Sequence, residues 1–65
     1  MSARVAIEDQ IECVRREIAM RENVYPKWIA QGRMTQQFAD RELLRMRAVL
    51  ATLEALPPDR PELSL

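Results

Sequence analysis

Apolar residues recur along this chain in two helical stripes, separated by the stretch from Tyr25 to Phe38. In the first half Ile7, Ile11, Val14, Ile18, Tyr25 and Trp28 follow one another at intervals of four, three, four, seven and three, with a gap at Arg21. That spacing places them on one face of a helix. In the second half Ala39, Leu43, Met46, Leu50 and Leu53 run at four, three, four and three, a heptad-like seam. The pattern predicts helices over about 5–31 and 36–56. Acid-before-base pairs, Glu12 with Arg16 and Glu17 with Arg21, support the first of them at about 0.2 to 0.5 kcal/mol each.

The stretch between the stripes holds the only Tyr, Trp, Phe and Gly of the chain. Pro26 removes a helical donor and crowds the carbonyl of Glu22. Because Trp28 and Ile29 keep the apolar period going beyond it, a kink near Pro26 is expected rather than a stop. Gly32 suits the left-handed position just past a helix end, and Thr35 reads as the cap of the next helix, with Met34 packing on Ala39 as a staple. So short a turn makes the helices antiparallel neighbours. The expected fold is all-α: a two-helix antiparallel hairpin over residues 1–58, followed by a flexible C-terminal tail at 59–65, since Pro57 and Pro58 stop the second helix.

Length then changes the picture. A chain of 65 residues has room for one domain, and two helices sharing a seam bury little. Small domains are usually rescued by disulfides, a metal or association. A single cysteine, Cys13, forms no internal disulfide, and with no histidine there is no zinc constellation. Beside the seam of the second helix lie Phe38, Val49 and Leu56 on one flank and Leu44, Ala48, Ala51 and Ala55 on the other. That is more apolar face than one helix can cover. It predicts a homodimer forming a four-helix arrangement, with a dimer core of Ile11, Val14, Ile18, Leu43, Met46, Leu50 and Leu53.

Ten basic and ten acidic residues cancel, so no global field draws the chain to nucleic acid. The cancellation hides a gradient. From Arg15 to Arg47 eight bases face four acids, leaving +4, while each flank carries −2. Early acidic residues rule out a signal peptide, and the apolar run from Ala48 to Leu53 is too short to span a bilayer, so a cytoplasmic protein without a membrane role is expected.

Catalytic chemistry finds few candidates. Histidine, the commonest general base, is missing, and Cys13 follows Glu12 rather than an activating base. Glu8 and Glu12 lie one turn apart, yet without a pocket around them they read as solvated surface. One glycine makes no phosphate loop. No enzyme, cofactor or metal site is therefore expected. A recognition helix opening at Thr35-Gln36-Gln37 with Arg41 and Arg45 is the DNA-binding alternative, weakened by Asp40, Glu42 and the zero net charge. A third reading is a structural or assembly protein. The bend gathers Tyr25, Trp28 and Arg33, residue types enriched at binding hot spots, and these are the candidate partner-binding residues.

The runs Ile7-Glu8-Asp9-Gln10-Ile11, Val14 to Arg21, Val24-Tyr25-Pro26-Lys27-Trp28, Gly32-Arg33-Met34-Thr35, Ala39-Asp40 and Met46 to Leu50 resemble small helical proteins of temperate phages of Gram-negative bacteria. Among these the chain most resembles the quorum-sensing anti-activators of Mu-like Pseudomonas phages. The similarity covers roughly residues 5 to 56, and its most distinctive pieces are Tyr25-Pro26-Lys27-Trp28 and Gly32-Arg33-Met34-Thr35. The resemblance implies a homodimer of helical hairpins in the cytoplasm of the infected bacterial host. Such a protein occupies a surface of a LuxR-type quorum-sensing regulator, with a type IV pilus assembly ATPase as a second target. It assigns no individual contact residue.

Overall fold

Two amphipathic segments joined by five residues fold back on each other. The structure, a computed structural model, describes residues 5–57; α1 spans Ile7–Ala30 and α2 spans Gln36–Ala55. Arg15 of α1 reaches Glu54 of α2, and Glu22 reaches Arg47, so the helices run antiparallel as a hairpin. The tail expected at 59–65 lies outside the described residues.

The start of α1 has no side-chain cap, and Ala6 is extended there. Instead the Gln10 side-chain amide donates to the carbonyl of Val5 at 2.8 Å. Glu8 and Asp9 place negative charge in the first turn, where the helix dipole favours it. The helix then runs through Pro26 without ending. Pro26 and Glu22 are both exposed residues, and Pro26 leaves the Glu22 carbonyl without its helical donor.

At its far end α1 closes as a Schellman motif. The Gly32 amide donates to the Ile29 carbonyl at 3.0 Å and the Arg33 amide to the Trp28 carbonyl at 2.9 Å. Gly32 has φ +73, the left-handed conformation the motif demands. Three residues later the Thr35 hydroxyl accepts from the Phe38 amide at 3.1 Å and caps α2. Met34 before the cap is half-buried and Ala39 is 1 % exposed, as a staple requires. At the other end of α2, Leu56 adopts the extended backbone that a residue before proline prefers.

The core is thin. Among the described residues only Ile18, Tyr25 and Ala39 are buried. The rest of the seam, Ile7, Ile11, Val14 and Trp28 on α1 and Leu43, Met46, Leu50 and Leu53 on α2, is half-buried. Arg21 fills the gap in the α1 stripe. It is part-buried and held by Glu17 at 2.6 Å, its stem covering seam surface while the head group stays wet.

Candidate functional site

The bend assembles an aromatic and cationic cluster because the Schellman motif turns Arg33 back over the last turn of α1. Tyr25 and Trp28, one turn apart on the seam side of α1, have ring centroids 5.9 Å apart with planes inclined by 37°. The Arg33 guanidinium lies over the indole of Trp28, 5.4 Å from its centroid, within cation–π range. The structure thus brings the three expected partner-binding residues together. They differ in access: Tyr25 is buried, Trp28 half-buried and Arg33 exposed. Tyr25 supports the platform, and Arg33 is its outer surface. Beside it Gly32, Arg33, Met34, Thr35 and Phe38 line a shallow depression, with Phe38 48 % exposed.

The hydrogen bond that Arg21 donates to the Glu17 carboxylate raises its guanidinium pKa above the ordinary value; partial burial opposes this and the Tyr25 hydroxyl adds to it, so Arg21 stays cationic.

The two broad faces of the hairpin differ. On one, Arg15 pairs with Glu54 at 2.6 Å and Arg47 pairs with Glu22, stitching the helices across their exposed edges. Near the bend, a groove of about 310 Å³ on this side is floored by Tyr25, Ile29, Ala39 and Leu43, with Glu22 and Asp40 on its rim. On the other face Cys13 and Val14 of α1 share a shallow groove with Val49 and Leu53 of α2. Met20 lies two turns beyond Cys13, Leu56 two turns beyond Val49, and Phe38 three turns before it, so all five side chains point to this side. Their exposure is substantial: Met20 45 %, Phe38 48 %, Val49 48 % and Leu56 45 %. Four of the large apolar residues left in solvent therefore share one surface with the Glu42–Arg45 pair, which falls between Phe38 and Val49 on the same period, and Cys13 lies among them, free and exposed.

The seven residues expected at a dimer core, Ile11, Val14, Ile18, Leu43, Met46, Leu50 and Leu53, all line the seam between α1 and α2 of a single chain. Phe38, Val49 and Leu56 were legible as an apolar flank of α2. The matching flank of α1, Cys13 and Met20, escaped the sequence reading because two residues seven apart make a faint stripe. The ion pairs between the helices escaped it too, since they depend on register.

Among the described residues no group of three or more metal-ligating side chains comes together, and no helix is long and apolar enough to cross a membrane. Comparison with known protein families, with characterised proteins and with solved structures finds no match to this chain.

Proposed function

We propose that this chain is a phage-encoded, non-enzymatic inhibitor that works by binding a host protein stoichiometrically, as a homodimer of hairpins in the cytoplasm of an infected bacterium. The observation that carries this reading is the bend, where Arg33 stands over Trp28 on a buried Tyr25, with Met34 and Phe38 alongside. Arginine, aromatic and methionine side chains held rigidly together form the kind of anchor that dominates binding energy. The resemblance of Tyr25-Pro26-Lys27-Trp28 and Gly32-Arg33-Met34-Thr35 to phage anti-activators makes a LuxR-type quorum-sensing regulator the first target, and a type IV pilus assembly ATPase the second.

Titration of purified protein against a purified LuxR-type regulator tests it, with Arg33→Glu as the comparison. The reading expects a saturable complex that the charge reversal weakens by about tenfold or more. No complex with either target, and recovery of nothing but its own copies from host lysate, contradicts it. The DNA-binding alternative rests on Arg41 and Arg45 of α2, but Glu42 already pairs with Arg45 at 3.4 Å. A gel-shift series would show a steep loss of affinity with salt if that alternative held.

A further inference from the structure

We infer that the bend takes an acidic and apolar segment of its partner protein: a carboxylate on Arg33, flanked by Lys27 and Arg41, with a neighbouring leucine- or phenylalanine-like side chain seated against Met34 and Phe38. This rests on the bend as partner anchor, as in the proposed function, and names the chemistry it selects.

Four arginines are neutralised within the chain. Arg15, Arg21, Arg45 and Arg47 each lie within ion-pair distance of a carboxylate, on Glu54, Glu17, Glu42 and Glu22 in turn. Among the described residues the three cations nearest the bend, Lys27, Arg33 and Arg41, have no such partner. Arg33 is the least satisfied at its head group. Of its five N–H donors one is engaged by another described side chain, the Gln31 oxygen at 3.4 Å, which is long for such a bond.

Residues 27–41 hold three bases against one acid, 3 − 1 = +2. That acid, Asp40, stands about 200° around α2 from Phe38 and so on the other face, where it accepts from the Gln36 amide at 2.9 Å. By the same period Lys27 and Arg41 fall at the outer edges of the face to which Phe38 points. The carboxylates next along that face, Glu42 and Glu17, are held by Arg45 and Arg21. Between these cations Gly32, Arg33, Met34, Thr35 and Phe38 line a shallow depression of about 540 Å³. Its apolar wall is open, since Phe38 is 48 % exposed. A carboxylate bound by Arg33 makes charge-assisted, bidentate hydrogen bonds, and an apolar side chain beside it covers Met34 and Phe38.

A nucleic acid also brings anions, but the bend suits one poorly. The Arg33 guanidinium covers the Trp28 indole at 5.4 Å, so that ring is not open to stack on a base. An acidic and apolar protein segment uses both halves of the site.

Trp28 is the only tryptophan, so its fluorescence reads this site in the full chain. The probes are three tryptophan-free peptides of one length, in which alanine and leucine are interspersed with glutamate, glutamine or lysine. The glutamate peptide should bind about threefold or more tighter than the glutamine peptide, and the lysine peptide should bind weakest. Arg33→Gln should erase that order, and Phe38→Ala should weaken the glutamate peptide by about fivefold or more. Both variants keep the backbone bonds of the turn and the Thr35 cap. Leu44→Ala, at a position 68 % exposed on another side of α2, should change neither affinity nor order.

A lysine peptide that binds best, or binding indifferent to peptide charge, overturns the acidic chemistry and leaves the bend as an anchor. If no peptide binds while a LuxR-type regulator does, this inference alone falls; if the regulator fails to bind as well, the proposed function falls with it. A DNA duplex that displaces the glutamate peptide, with affinity dropping steeply in salt, puts nucleic acid in the site and overturns the inference. Peptide affinity that declines as protein concentration rises shows a second copy holding the bend and overturns it too.

Discussion

Arg33 is bound twice to Trp28: its backbone amide donates to the Trp28 carbonyl at 2.9 Å, and its guanidinium covers the Trp28 indole at 5.4 Å. A Schellman motif ordinarily carries an apolar contact between these two positions. Here a cation–π contact takes that place, so the residue that closes α1 is also the one displayed to a partner.

Replacing Arg33 with alanine should therefore separate stability from binding. The backbone bond survives, and loss of the exposed cation–π contact costs about 0.5 to 1 kcal/mol. Affinity for the protein partner should fall by much more, at least tenfold. Thermal melts alongside partner titration check this; equal losses in both would show that Arg33 serves only the turn.

Thr35 sets the entry of α2 through its hydrogen bond to the Phe38 amide. Thr35→Ala should lower stability by about 1 kcal/mol, and Thr35→Ser should retain most of it. For a domain of this size that loss is a fall of about 4–8 °C in Tm, measurable by circular dichroism.

Burial and ion pairing should rank differently from what their geometry suggests. Ile18, 7 % exposed in the seam, should cost about 2 to 3 kcal/mol as Ile18→Ala, the lower end for such truncations because its half-open surroundings can close in. Glu54→Gln breaks the 2.6 Å pair with Arg15, yet both groups are well exposed and the loss should stay under about 1 kcal/mol. Denaturant unfolding of both variants reads the order directly, and a larger loss from Glu54→Gln would reverse the ranking.

Much of this architecture was legible before folding, because it depends on neighbours in sequence. Gly32 and Thr35 announce the bend through local backbone needs, and Ala39, Leu43, Met46, Leu50 and Leu53 announce the seam through their period. Arg21 looked like a gap in the α1 stripe, since its charge hides a long apolar stem; only Glu17 and the packing show it filling the seam. Pro26 threatened the helix, yet α1 continues through it to Ala30, as the apolar period of Trp28 and Ile29 indicated. The difference between the two broad faces was illegible. It arises from the register that joins Arg15 to Glu54 and Glu22 to Arg47, leaving Cys13, Met20 and Val49 together on the other side.

With three buried residues among those described, the proposed homodimer has apolar surface left to cover, and the concentration dependence of Tm tests it most directly. Melts of the wild type over about a hundredfold range of protein concentration should show Tm rising as dilute monomer gives way to dimer, since binding restricted to the folded state stabilises it by mass action. A sharp, cooperative transition at one unchanging Tm, from a species of 7.6 kDa throughout, would contradict the account.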